Sequence, residues 1–293
     1  MRYRCGHPAV RNPYGERRTA DSFLHHESGR TGADYCAKSW FECHRCSLTM
    51  RNIRLYTPQD LKVGEDIELD EAAANHLLRV LRAKVGDSVT LFNGDGLDYW
   101  GAISSVGKRS GTVALASAHN PANESPLQSH IGLCLSKGDR FDWALQKATE
   151  LGVSAITPLF SERVDVKLPS ERVERKLQHW QQVVASACEQ SGRAVLPSVA
   201  APLTLSGWLQ SVTADVKLVL HHHQAGALPT GIQPTSVALL IGPEGGLSPT
   251  EVSDAQTHGF LPLCLGPRVM RTETAPVAAL ATLAWHWGDF QSS

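Results

Sequence analysis

The chain has 293 residues, 42% of them hydrophobic and 19% charged, an ordinary globular composition and long enough for two domains. No apolar stretch approaches the roughly 20 residues of a membrane-spanning helix, so no membrane partner is expected. The formal net charge of −1 excludes a uniformly basic surface, and any nucleic-acid contact has to be a local patch. Seven cysteines, an odd number with no secretory signal, point to reduced thiols and a cytoplasmic protein.

Residues 1–49 hold four of the cysteines, four of the 13 histidines and no helical or strand periodicity. Cys43 and Cys46 form one Cys-x-x-Cys half-site, with Cys36 and His44 nearby. A second half-site with proper spacing is missing, so no metal is expected. The segment reads as a disordered leader or a mis-assigned start, outside the fold.

Residues 50–118 alternate short strand-like runs with turns. Ser88-Val-Thr-Leu-Phe92 leads through the hairpin signal Asn93-Gly-Asp-Gly96 to Tyr99-Trp-Gly-Ala-Ile103 and Thr112-Val-Ala-Leu-Ala116, which predicts a small β-barrel. One helix over 71–83, with Asp70 as N-cap, interrupts it. Leu77, Val80 and Leu81 are expected on its buried side, and His76, Arg79 and Arg82 recur every three residues on another face. With Arg51, Arg54 and Lys84 adding charge nearby, the stripe reads as a phosphate-contacting surface that fixes register without reading bases.

A linker rich in Pro, Asn, Ser and Ala covers 119–128. Strands and helices then alternate over 129–293, which predicts an α/β fold with a mainly parallel sheet. Strands are expected at Ile131-Gly-Leu-Cys-Leu135, Ala155-Ile-Thr-Pro-Leu-Phe160 and Val216-Lys-Leu-Val-Leu220. Helices are expected after Asp139, ending at Gly152, and from Ser170 to Ser191-Gly192. Arg163 and Arg193 each follow the end of an element, where side chains converge on a substrate. His221-His-His223 cannot all face one ion from a strand end, because successive side chains point apart, and the run reads instead as a polar loop bordering the ligand cleft.

Two glycine segments close the chain, each after an apolar run. Val237-Ala-Leu-Leu-Ile241 reads as a strand buried on both faces. Gly242, Gly245 and Gly246 follow, and then Ser248, Pro249 and Glu251 spell a capping box for a helix ending near Gly259. Phe260-Leu-Pro-Leu-Cys-Leu265 repeats the arrangement and leads through Gly266 into an apolar helix over 276–287. Ligands of open α/β sheets sit at such carboxyl ends.

Ile241-Gly-Pro-Glu-Gly-Gly-Leu-Ser248 and Leu265-Gly-Pro-Arg-Val-Met-Arg-Thr-Glu-Thr-Ala275 together resemble the signature of the SPOUT methyltransferases. Their spelling is similar to one family among them, the ribosomal RNA small-subunit methyltransferase E family of uracil-N3 methyltransferases. The likeness runs from about Met50 to the carboxyl end. It includes Met50-Arg-Asn-Ile-Arg-Leu-Tyr56, His76-Leu-Leu-Arg-Val-Leu-Arg82, Asp142-Trp-Ala-Leu-Gln-Lys-Ala-Thr-Glu-Leu-Gly152, Ser161-Glu-Arg163 and Glu189-Gln-Ser-Gly-Arg193. In many relatives Ser follows that Glu-Arg pair, whereas Val164 stands here.

The resemblance implies a SPOUT-type α/β domain with a carboxyl-terminal trefoil knot, preceded by a PUA-like β-barrel. It implies S-adenosylmethionine as cofactor, bound by Leu220, Ile241, Gly242, Gly245, Gly246, Leu265, Gly266, Val269, Met270, Thr274 and Ala275. It also implies 16S ribosomal RNA as partner, with Arg51, Arg54, His76, Arg79, Arg82 and Arg193 as its contacts. Uracil N3 must lose a proton before it attacks a methyl group, leaving charge on O2 and O4. Arg271 is the expected stabiliser of that charge, with Arg163 alongside it. Glu273 is either the base or the cap of the last helix. A homodimer is expected through that helix, with Leu280, Leu283 and Trp287 supplying area and Ala279 permitting close approach. A SPOUT enzyme acting on ribose 2′-hydroxyl or another base nitrogen would share the cofactor loops, and a non-catalytic assembly factor would keep only the basic stripe.

Overall fold

Alternating apolar residues pair the first strands into a sheet with one face on a core. The structure is a computed structural model that describes residues 53–291 apart from Arg109, Lys167 and 222–225, and without the side chains of Ala72 and Arg79. The leader with its cysteines, Arg51, and His222-His223 therefore lie outside the described residues. Strands β1 (Ile53–Tyr56), β2 (Asp66–Glu68), β3 (Ser88–Phe92), β4 (Asp98–Val106) and β5 (Gly111–His119) form one sheet in the order β1-β3-β4-β5-β2. β1 runs parallel to β3, and the other pairs are antiparallel. Leu55, Leu91, Ile103 and Val113 fill the core on one face.

The basic helix departs from expectation. Asp70 does cap it, its carboxylate accepting from the Ala73 amide at 2.7 Å, but α1 covers only Glu71–Asn75. A π-helical turn, His76–Val80, follows, closed by the Leu81 amide on the His76 carbonyl at 3.0 Å, and Arg82 ends it in the left-handed region at φ 56°. The wider turn breaks the three-residue repeat. Leu77 stays fully buried, but Val80, expected in the core, is 65% exposed. Such turns concentrate at functional sites.

The second sheet contains β6 (Gln128–Cys134), β7 (Ala155–Phe160), β8 (Ser198–Val199), β10 (Val216–Leu220), β11 (Ser236–Ile241) and β12 (Leu261–Leu263) in the order β12-β10-β11-β6-β7-β8, with β9 (Leu203–Thr204) also on β7. Every pair is parallel. One face packs under α2 (Arg140–Glu150), α3 (Ser170–Ser191) and α6 (Thr274–Trp287) through Phe141, Leu145, Trp180, Leu280 and Leu283. The other face packs under α4 (Leu205–Ser211) and α5 (Pro249–Thr257) through Trp208, Leu209, Ala255 and Phe260. The helix α4 was not expected from the sequence. It is seven residues long and is capped by the Thr204 hydroxyl, which accepts from the Gly207 amide at 3.2 Å.

The apolar α6 buries more within one chain than expected. Ala279, Leu280, Leu283 and Trp287 all pack into the core beside α2 and the sheet, so they are not free for a second subunit. The opposite face keeps Trp285 58% exposed.

Candidate functional site

Parallel pairing brings the carboxyl ends of β10, β11 and β12 side by side, so the loops that leave them converge. They enclose a cavity of about 800 Å³. Leu220, Ile241, Leu263, Leu265 and Ala275 give it an apolar floor, and Arg140, Arg163, Arg268 and Arg271 stand around it with Glu244 and Glu273. Gly242, Gly245, Gly246, Gly266, Val269 and Met270 line it as the sequence leads one to expect, whereas Thr274 does not. His221 borders it, as expected of the histidine loop, Glu244 and Arg268 enter from the two glycine loops, and Arg140 joins the lining without having been expected there.

The first loop, 242–247, is held from three sides. Its exit is fixed by the capping box: the Ser248 hydroxyl accepts from the Glu251 amide at 3.3 Å, and the Glu251 carboxylate accepts from the Ser248 amide at 2.8 Å. The other Glu251 oxygen accepts from the Glu162 amide at 2.8 Å, tying in the turn after β7. Arg163 in that turn donates to the Gly245 carbonyl at 3.0 Å. Glu244 accepts from the Arg140 guanidinium at 3.0 Å and the Lys137 amide at 3.2 Å. Gly246 takes φ 68°, a left-handed conformation that glycine adopts without strain. Arg163 thus positions the loop as well as lining the cavity.

The second loop, 264–273, turns at Gly266 with φ 94°. The Arg271 carbonyl accepts from the Thr274 and Ala275 amides at 3.0 Å, starting α6. The Arg271 side chain is 81% exposed, with one long ion-pair contact of 3.9 Å to Glu273. Glu273 occupies the N-cap position, but its side chain makes no cap hydrogen bond, so the capping role is not realised. It accepts instead from the Thr272 hydroxyl at 3.4 Å and keeps a largely buried carboxylate beside the cavity. Burial pushes the Cys134 thiol up to about 12 and the Cys188 thiol up to about 11, so neither offers a nucleophile at neutral pH.

Two expected RNA contacts are internal. Arg54 has a side chain only 7% exposed, paired with Asp98 at 2.6 Å, and Arg193 is 6% exposed and paired with Glu124 at 2.6 Å. Arg193 also donates to the Thr149 and Val153 carbonyls, both at 2.9 Å. A guanidinium whose donors are already spent on buried acceptors has nothing to offer a phosphate. His76, Arg82 and Lys84 are each open to solvent at least in part, as such a contact requires.

Known proteins share this arrangement. The RNA methyltransferase domain model matches residues 123–284, and the RNA methyltransferase PUA domain model matches residues 69–115. The ribosomal RNA small subunit methyltransferase E of Buchnera aphidicola (subsp. Schizaphis graminum) is 32% identical over 80% of this chain and 97% of its own length. That of Synechocystis is 35% identical over 78% of this chain and 76% of its own. Among solved structures, a Legionella pneumophila methyltransferase in complex with the cofactor SAM is 41% identical with a TM-score of 0.79, over 82% of this chain and 100% of that one. The Neisseria gonorrhoeae ribosomal RNA small subunit methyltransferase E bound to S-adenosyl methionine is 36% identical with a TM-score of 0.77, over the same shares. An α/β sheet with its cavity at three adjoining strand ends, both domain models and relatives matched over most of their length lead to one assignment: the chain belongs to the ribosomal RNA small subunit methyltransferase E family.

Proposed function

We propose that this chain methylates N3 of a uridine in small-subunit (16S) ribosomal RNA with S-adenosylmethionine as donor. The observation that carries the reading is the cavity, with its apolar floor and four surrounding arginines, in a chain of this family. The residues present fit the cofactor. Leu220, Ile241 and Leu265 offer apolar surface to an adenine, Gly246 and Gly266 bare the backbone to its polar edges, and the arginines other than Arg271 complement a carboxylate. Val269, Met270 and Ala275 complete the wall. When bound, S-adenosylmethionine supplies an electrophilic methyl group.

The chain's own residues then handle the base. N3 lies on the Watson–Crick edge, so the uracil has to enter unpaired. Its N3 proton leaves, and negative charge spreads over O2 and O4. Arg271, exposed at the mouth, faces that charge. Glu273, whose carboxylate lines the cavity, is the proposed acceptor of that proton. Arg163 keeps the first loop in place through Gly245. Methyl transfer to 16S RNA followed by nucleoside analysis tests the reading: 3-methyluridine supports it, and a ribose methyl or another base product refutes it.

RNA grip belongs to the amino-terminal part, through His76, Arg79, Arg82 and Lys84 of the helical segment packed on its sheet. In Arg79→Ala with Arg82→Ala, RNA affinity falls alike for all sequences, and the log–log salt slope flattens by about one unit or less for each phosphate the protein no longer neutralises. A slope equal to wild type excludes the stripe.

The division into a PUA-like part over 50–118, a linker over 119–128 and a methyltransferase part over 129–293 belongs to the same reading. So does the trefoil knot, supported by β10 lying between β11 and β12, which makes the chain cross to reach its last strand. A cytoplasmic homodimer completes it, joined through the exposed face of α6 that carries Trp285. In Trp285→Asp, light scattering shifts from about twice the 31.8 kDa chain mass to the mass itself. An unshifted mass removes Trp285 from the interface.

A further inference from the structure

Where the amino-terminal sheet meets the end of α3, polar contacts converge on seven residues, 188–194. Arg54 of β1 donates to the Cys188 carbonyl at 2.6 Å and to the Arg193 carbonyl at 2.9 Å, while Asp98 of β4 neutralises it at 2.6 Å. Its guanidinium lies 3.8 Å over the Phe92 ring, which packs on Val184 and Cys188. The Tyr56 amide donates to the Glu189 carboxylate at 2.9 Å, and the Gly96 amide to the Ala194 carbonyl at 3.2 Å. From the same segment the Arg193 side chain reaches the far end of α2, at Thr149 and Val153, and Glu124 before β6. α2 begins at Arg140, which holds Glu244 of the cavity loop.

Apolar burial alone would join these elements, since it is non-directional and tolerates sliding. A buried ion pair adds little stability over apolar residues of the same volume but admits few geometries, and it is penalised heavily if a partner shifts. Two arginines in series, each satisfied only in one arrangement, therefore select a single register between the sheet that grips RNA and the helices that frame the cavity.

We propose that Arg54 and Arg193 are positioning residues: they lock the amino-terminal sheet onto the ends of α2 and α3, so that RNA held by the sheet presents its uridine to the cavity. This rests on the function proposed above. Neither residue touches substrate. Both act through the placement of a surface whose phosphate contacts and the cavity must be engaged at once, and a loose joint lowers the effective concentration of the second contact.

The test is Arg54→Met with Asp98→Asn, which removes the guanidinium without leaving its carboxylate buried and charged. Amide exchange, cofactor affinity by calorimetry and methyl transfer to 16S RNA are measured on the full chain. The Tyr56 and Gly96 amides are expected to exchange about tenfold faster or more, while amides of β6, β10 and β11 stay as protected as in wild type. kcat/KM for RNA is expected to fall about tenfold or more, mainly through KM, with cofactor Kd within about twofold. Unchanged exchange at Tyr56 and Gly96 overturns the joint, and kcat/KM within about twofold of wild type overturns its role in the reaction. If the double variant exchanges at every amide, Asp98→Asn alone replaces it under the same criteria. A wild-type chain that transfers no methyl to RNA refutes the proposed function instead, and the exchange result still decides whether the joint exists.

Discussion

Replacing Arg271 by Ala is expected to slow methyl transfer roughly 10²–10³-fold, the usual effect of removing one charged contact to a developing oxyanion. Cofactor affinity should stay within about twofold, because the guanidinium stands at the mouth of the cavity and the backbone of its loop is kept. Two features make this substitution a clean probe. The side chain is 81% exposed and its one ion-pair contact is long, so truncating it removes almost no packing. The part of Arg271 that matters to the fold is its carbonyl, which accepts the first two amides of α6 and survives in alanine. Single-turnover rates at saturating cofactor, with a calorimetric Kd alongside, measure the two quantities separately. A rate within a few-fold of wild type would assign the uracil charge to another group, Arg268 or Arg163 being alternatives on the cavity wall.

The features legible in the sequence were those written in local spacing. β3, β7 and β10 fall where the continuous apolar runs put them, and Ser248 and Glu251 cap α5 as three-residue spacing requires. The two glycine loops were found because glycine is chosen by backbone demand, which is visible one residue at a time. Arg54 and Arg193 look like surface contacts in the sequence for the opposite reason. Their partners lie far away in the chain: Arg54 meets carbonyls 134 and 139 residues on, and Arg193 meets a carboxylate 69 residues back. A basic residue beside a basic stripe carries no mark of burial, and only the tertiary fold supplies the acceptors.

The same limit applies to two helices. α6 is apolar all round, so its composition announced burial but not which neighbours would take each face. Leu280 and Leu283 went to the chain's own sheet and Trp285 stayed outside. In the basic helix the residues obey α-helical spacing through Arg82, yet a switch to i to i+5 bonding, as from the Leu81 amide to the His76 carbonyl, shifts the later positions and turns Val80 to solvent. One inserted residue per turn is a tertiary adjustment that hydrophobic periodicity does not encode.

The most severe loss of cofactor binding is expected for Gly242→Val. A Cβ at residue 242 would stand 3.0 Å from the Leu247 Cγ and 3.2 Å from the Leu247 backbone nitrogen. The Leu247 backbone nitrogen cannot retreat, because the next residue, Ser248, is locked into the capping box and Glu251 is tied again to Glu162. Leu247 itself packs against the cluster that includes Trp208 and Phe260. The loop has to open, and with it goes the wall between Ile241 and Gly246, so affinity should fall beyond about 100-fold, a loss of roughly 3 kcal/mol or more. Gly266→Val is the graded control. Nothing lies within 4 Å of its added Cβ, and only the φ of 94° opposes it, which costs about 1–3 kcal/mol and predicts roughly 5- to 150-fold weaker binding if the loop keeps its shape. Isothermal calorimetry with S-adenosylmethionine on both variants, with thermal unfolding to check that the sheet is intact, separates a blocked loop from a strained one. Wild-type affinity in Gly242→Val would mean that the donor binds elsewhere and that the converging ends of β10, β11 and β12 are not its site.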